Sequence, residues 1–214
     1  MGWSPKSLGQ RTPEPGVFHI NDLEVRPVIK DHTSLKAGSL LIAPPMQWDS
    51  NFRRSVILLC EHSDNGSFGL ILNRTLTLVM EQVFDDLPGF SEEISWGGPV
   101  QPETLHFLHR LPDQLDGGIE VRPGVFWGGD FDLVKAGIRS GTISPDDIRF
   151  FLGYSGWSPG QLADEVGHGG WIVADSSEEF VFDTAEDAVW GQSMRSKGGS
   201  YTILANFPEY PSLN

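Results

Sequence analysis

Cationic charge is scarce in this sequence: 15 Lys and Arg stand against 29 Asp and Glu, a formal net charge of −14. No block of five basic residues occurs. Direct nucleic-acid binding is therefore disfavoured, because it depends on cations neutralising phosphates, unless the few present are gathered on one face. Cysteine is almost absent as well. The single Cys60 excludes an intramolecular disulfide and a cysteine-based zinc site, and fits a reducing compartment. Long hydrophobic runs are also missing: residues 56–60 and 68–72 are the longest, far too short to span a bilayer. The first residues carry no apolar stretch of the signal-peptide kind. The expectation is a soluble, cytoplasmic protein with no membrane partner.

What is present is globular. Of 214 residues, 39% are hydrophobic and 11% aromatic, with 7 Trp and 13 Phe. A chain of this length buries roughly 70% of its unfolded surface. Residues 1–16, with Pro5, Pro13, Pro15 and Gly16 among polar neighbours, predict a mobile tail, and 17–35 an extension with a short helix or turn near Asp31. From about residue 36 elements follow closely. Residues 38–43 form a short apolar strand stopped by Pro44-Pro45. Residues 55–62 and 68–73, apolar on both faces, predict a hairpin with a five-residue loop, central in a sheet covered on two sides.

Thr77 is placed as the cap of a helix through Met80, Val83 and Leu87. Residues 94–100 read as a strand ending in a Gly97-Gly98 turn. Residues 104–109 alternate as a strand, with Leu105, Phe107 and His109 on one face and His106 and Leu108 on the other. A second hairpin turns at Pro123-Gly124. Asp130 caps a helix that Gly141 closes. Residues 144–147 predict a short turn. Residues 151–162 read as strand, sharp glycine turn and helix, with Ser158 as N-cap, Pro159 first in the helix and Gln161 reaching back to the Ser158 amide. Residues 171–173, 180–182 and 201–204 read as strands, and 184–196 as a capped helix. The expected fold is mixed α+β, a mixed β-sheet flanked by helices.

Several of these stretches together resemble a known family. Gly38-Ser39-Leu40-Leu41-Ile42-Ala43, residues 54–62, Gly69-Leu70-Ile71-Leu72-Asn73-Arg74, Gly97-Gly98-Pro99-Val100, and Leu152-Gly153-Tyr154-Ser155-Gly156-Trp157 with Gly160-Gln161-Leu162 are similar to the bacterial AlgH/YqgE family over about residues 36–205. The resemblance implies a cytoplasmic protein whose residues 36–214 form a single domain, a three-layer α/β/α-like body with a mixed β-sheet flanked by helices and a smaller α+β portion inserted at roughly 75–145. It implies no defined reaction: the label of transcriptional regulator carried by some members rests on no DNA-binding motif. Ser155 stands where many relatives have Ala, and Thr75 where Pro often follows Asn-Arg.

Candidate chemistry is sparse. Ser155 invites comparison with a nucleophile elbow, but Trp157 occupies its final glycine position, and the one downstream histidine, His168, lies in a glycine-rich loop. Ser155 is more simply a small turn residue. Cys60 and His62 share a strand face with Glu61 opposite, yet a cysteine in so apolar a run is more often inert core. His106 and His109 face opposite ways, so no metal site is expected. Arg53, Arg54 and Arg74 lie at the outer ends of the central hairpin, which antiparallel pairing brings together. With Asn73 and the Gly97-Gly98 turn they would make an anion pocket; as surface arginines paired with acids they would make nothing.

The reading is a non-catalytic ligand- or protein-binding regulatory module without cofactor. Its candidate pocket comprises Arg54, Glu61, His62, Asn73, Arg74, Gly97, Gly98, Tyr154, Gly156 and Trp157. The alternatives are a hydrolase using Ser155 or Cys60 and a direct DNA-binding regulator.

Overall fold

The computed structural model describes residues 35–87 and 89–208. The expectations for residues 1–34 lie outside these. The chain forms a mixed α+β fold: β1 (Ser39–Ile42), β2 (Val56–Ser63), β3 (Gly66–Ile71), β4 (Thr75–Val79), α1 (Met80–Val83), β5 (Glu93–Trp96), β6 (Val100–His109), β7 (Ile119–Arg122), β8 (Val125–Trp127), α2 (Phe131–Ser140), β9 (Ile148–Trp157), α3 (Gln161–Gly167), β10 (Ile172–Asp175), α4 (Glu178–Asp183), α5 (Glu186–Ser196) and α6 (Ser200–Leu204). The main path of the sheet runs β10-β1-β2-β3-β9-β6-β8-β7, with β5 joining β9 and β4 joining β5. The β5–β9 pairing is parallel and the others antiparallel among the described residues.

The sheet curls into a half-barrel. Its β7 end comes back to its β1 end, where Arg122 Nη1 donates to Ser176 Oγ at 2.6 Å and Ser176 Oγ donates to the Gly38 carbonyl at 2.7 Å. As its alternation dictates, β2 sends Val56, Leu58 and Cys60 into the concave core and Ile57 and Leu59 to the opposite one. Helices α4, α5 and α6 close the concave core with Val181, Val189, Trp190, Met194 and Leu204. Helix α3 covers the other face with Leu162, beside Trp157 and Trp171. A third cluster gathers Met80, Ile94, Phe107, Val134 and Phe150 under α1 and α2.

The central hairpin is buried on both faces, but its loop is two residues, Asp64-Asn65, because the strands continue to Ser63 and Gly66. Asp130 caps α2 by accepting from the amides of Asp132 and Leu133, and Gly141 ends it in the left-handed conformation. The helix after β9 begins at Gln161 with Gly160 at its N-cap, not at Ser158-Pro159, and four more expectations are corrected. The glycine stretch at 153–156 is no turn: β9 runs through it, bent where Gly153 takes φ 68°. Thr77 caps no helix and lies within β4, whose Leu76 and Leu78 pack inward at period two. Residues 180–182 and 201–204 are helical, in α4 and α6.

His109 is a buried polar residue in this core. Its Nδ1 accepts from the Leu111 amide at 3.1 Å and its Nε2–H donates to the Gly128 carbonyl at 3.0 Å, an arrangement only the neutral ring satisfies. Burial lowers its pKa from the usual 6.5, against a smaller opposing effect of the Gly128 bond, and lowers His106 in the same direction. The unfolded chain then takes up these protons first, so stability is full above pH about 6.5 and falls as pH drops toward the folded values. Glu92, raised by burial from 4.5, acts with the opposite sign lower down. Urea midpoints at pH 7.5 and 5.5 are expected to fall toward acid, with a shallower fall in His109→Gln. Identical slopes in the two proteins would show that His109 carries none of the effect.

Candidate functional site

The outer ends of β2 and β3 are clipped together by one side chain. Asn73 accepts from the Val56 amide through Oδ1 at 2.8 Å and donates through Nδ2 to the Arg54 carbonyl at 2.8 Å. Arg54, left-handed at φ 52°, points its guanidinium over the Trp190 ring at 4.1 Å and donates through Nη2 to the Phe207 carbonyl. Arg74 donates to the carbonyls of Ser50 and Arg53 at 3.0 Å each and lies over Trp96 at 5.4 Å.

These groups line a cleft of about 1010 Å³ whose opposite wall is α5, contributing Glu186, Asp187, Trp190, Gly191 and Arg195, with Ala205 beside it. Four arginines, Arg53, Arg54, Arg74 and Arg195, therefore line one concavity together with Glu186 and Asp187. Glu186 is already engaged by the Thr75 amide at 2.6 Å and by the Thr75 hydroxyl. Below, Arg149 donates to the Leu72 and Val181 carbonyls at 2.7 Å each, its pKa lowered by burial to about 10 and still cationic at neutral pH. Contact with indole rings orients two of the cleft guanidinium groups.

Of the sequence-predicted residues, Arg54, Asn73 and Arg74 come together here. Glu61, Tyr154, Gly156 and Trp157 line a separate, shallower depression of about 540 Å³ at the other end of the hairpin. The 8 residues of β2 put roughly 25 Å of strand between the two ends. His62 sits near the second depression with Nδ1 2.7 Å from Ser67 Oγ. Tyr154 packs its ring on Phe68 at 4.9 Å and edge-on to His106 at 5.6 Å. Gly97 and Gly98 line neither concavity. They lie against the backbone of β9, where a Cβ on Gly97 would fall 2.2 Å from the Gly153 carbonyl oxygen and one on Gly98 would fall 2.3 Å from the carbonyl carbon and oxygen of Tyr154.

Among the described residues neither proposed nucleophile has a base. Ser155 Oγ is buried and donates to the Gly97 carbonyl at 3.2 Å, and the Cys60 thiol is directed at the Leu58 carbonyl at 3.7 Å. Among the described residues no imidazole bonds either group, and burial drives the thiol pKa well above its usual range. Native protein is expected to resist iodoacetamide at Cys60 over hours and to react in urea within minutes, read by intact mass. Rapid native labelling would show a thiol more accessible than this.

The α5 contribution was invisible in sequence, since Glu186 to Arg195 lies more than a hundred residues from Asn73 and carries helix signals, such as acids first and Arg195 last, that a dipole explains alone. Among the described residues no cluster of His, Cys, Asp and Glu could hold a metal, and no helix is long and apolar enough to cross a membrane.

The model of a family described as AlgH-like matches residues 40–202. A UPF0301 protein of Chlorobium limicola is 46% identical over 187 residues, covering 87% of this chain and 100% of that protein. A UPF0301 protein of Cytophaga hutchinsonii is 41% identical over 181 residues, 84% of this chain and 100% of that one. The solution structure of the AlgH protein from Pseudomonas aeruginosa superposes with a TM-score of 0.65 at 27% identity, covering 82% of this chain and 95% of that one. Protein DIP2367 of Corynebacterium diphtheriae gives a TM-score of 0.67 at 24% identity over 81% and 93% of the two chains, a likeness of fold alone. Matched over residues 40–202 by the family model and along their full length by relatives more than 40% identical, the chain belongs to the AlgH-like family.

Proposed function

We propose that this protein is a non-catalytic, cytoplasmic binding module that takes an anionic ligand in the cleft between the outer hairpin end and α5, and that any regulation it exerts passes through that ligand or a protein partner. The observation that carries this reading is the gathering of four arginines in one concavity of a chain whose net charge is −14, with Arg54 and Arg74 set over indole rings. Among the described residues no imidazole bonds Ser155 or Cys60, which argues against the hydrolase alternative. Direct duplex binding fits poorly too, because the arginines line a cleft shared with Glu186 and Asp187 instead of a convex face.

Inorganic pyrophosphate is a suitable probe. Calorimetry at low salt is expected to show binding that weakens steeply as salt rises. Arg54→Ala should lower affinity by roughly 10- to 100-fold, the equivalent of one charge-assisted hydrogen bond. Arg195→Ala, at an exposed position, should weaken binding with the melting temperature unchanged. No heat from millimolar pyrophosphate with the wild-type chain would overturn the proposal.

A further inference from the structure

The cleft is larger than a simple anion requires, and exposed apolar side chains lie close in sequence to its lining residues. About 1010 Å³ reaches the upper end of the volumes that small-molecule sites occupy. Several large hydrophobic side chains near these lining residues in the chain are exposed. Trp48 is 82% exposed, Ile203 69% and Phe207 43%. Each lies within two residues of a cleft-lining residue: Trp48 of Ser50, and Ile203 and Phe207 of Ala205. Exposed Met46 is on the same β1–β2 loop as Trp48. Phe207 is also tied to the site through its carbonyl, which accepts from Arg54. Scattered exposed hydrophobics need no explanation, but several on segments that also supply an arginine-lined cleft mark an interaction surface, and Trp and Arg are among the residues that most often dominate binding energy.

Resting on the anionic-ligand reading, we infer that the occupant of this cleft is an acidic segment of another protein that presents an aliphatic or aromatic side chain beside its carboxylates. The arginines supply fork-shaped donors that match carboxylates, and Trp48, Ile203 and Phe207 supply the apolar seat. A second copy of this chain is a poorer occupant, since two molecules at −14 repel over their whole surfaces. An anionic bilayer fits less well also: it is flat, whereas the arginines are recessed in a concavity that carries Glu186 and Asp187.

The test uses the full chain and two labelled synthetic peptides of equal length and equal negative charge. One spaces its glutamates with serine, the other with leucine and phenylalanine. Fluorescence anisotropy is expected to show the apolar-acidic peptide binding at least about tenfold tighter, with pyrophosphate displacing both. Trp48→Ser, at a position too exposed to matter for folding, should abolish most of that margin, with an unchanged melt confirming the fold. Equal affinity for the two peptides, or a margin that survives Trp48→Ser, would overturn the inference. Binding to phosphatidylglycerol vesicles with no peptide bound would overturn it in favour of a membrane. Pyrophosphate failing to bind the wild-type chain removes the anion-cleft reading itself, and this inference with it. Pyrophosphate binding without peptide discrimination removes only the inference.

Discussion

Gly98→Ala is expected to destabilise the protein by about 4 kcal/mol or more, enough in a domain of this size to lower the melting temperature by roughly 10 °C or to prevent folding. Two independent costs coincide. Gly98 has φ 151°, a conformation L side chains rarely adopt, and its added Cβ would sit 2.3 Å from the Tyr154 carbonyl carbon and oxygen and 2.5 Å from the Ser155 nitrogen. These are backbone atoms of a central strand and have nowhere to go. Gly97→Ala separates the costs, because that residue takes no positive φ and meets steric conflict alone, at 2.2 Å from the Gly153 oxygen. The crossing matters because β9 changes neighbours there. Its residues 150–152 pair with β5 and its residues 155–157 with β3. Gly97 spans the change: its amide donates to Leu152 at 2.8 Å, and its carbonyl accepts from the Ile71 amide at 3.0 Å and from the Ser155 hydroxyl. Gly167→Ala is the control, since no atom lies within 4 Å of the Cβ it would add, and it should be neutral or slightly stabilising. A thermal melt settles the comparison, and a Gly98→Ala protein melting within 2 °C of wild type would refute this account of the crossing.

That crossing also explains why the glycine motifs were misread from sequence. Glycines at 97–98 and 153–156 look like turns because turns are the commonest place for glycine in a chain; backbone-to-backbone contact between strands distant in sequence leaves the same mark. Elements with local determinants were legible. The central hairpin showed itself by its two-faced apolar strands, and α2 by Asp130 and Gly141, both of which act as caps. Even the Gln161 contact was readable, for its side chain accepts from the Ser158 amide at 3.0 Å although the helix begins only after a left-handed Gly160.

Failures came where local propensity and tertiary packing disagreed. Phe180-Val181-Phe182 has strand-like composition, but Ser177 accepts from the Phe180 amide at 3.0 Å and Glu178 and Glu179 occupy the first turn, so capping decides for helix. In α6, Tyr201 and Leu204 meet the concave core at a spacing of three that only a helix provides. For the site, the hairpin supplied Arg54, Asn73 and Arg74 through pairing that sequence can anticipate. The partner wall on α5 arises from long-range packing of Trp190, whose indole donates to the Ala43 carbonyl at 2.8 Å. Nothing near Asn73 in the chain encodes that contact.

Replacing Glu165 by Ala is expected to cost about 2–4 kcal/mol, a large effect for a half-exposed acid at a helix position. The reason is what its carboxylate holds. Oε2 accepts from the indole Nε1 of Trp157 at 2.9 Å and of Trp171 at 2.8 Å, and Oε1 accepts from Gln161 Nε2 at 2.9 Å. Both indoles are buried, with ring centroids 6.0 Å apart and planes at 81°, and Phe52 packs edge-on to Trp171 at 5.5 Å. Removing the acceptor leaves two indole N–H groups in an apolar layer that cannot solvate them, and each unsatisfied donor costs about 1–3 kcal/mol. Glu165→Gln keeps one acceptor oxygen and should recover part of the loss. Trp157→Ala deletes a large side chain and should cost about 3–5 kcal/mol. Because Glu165 then loses one of its donors, the double variant should be less destabilised than the sum of the singles, by about 1 kcal/mol or more. Urea denaturation of the four proteins tests this. Strict additivity would mean that the carboxylate does not bridge the rings. Trp157 thereby becomes a structural post, joining the hairpin-facing end of β9 to α3. Accordingly, pyrophosphate affinity at the distant arginine cleft should be unchanged in Trp157→Ala protein that remains folded; a loss there would tie the two ends of the hairpin together in binding.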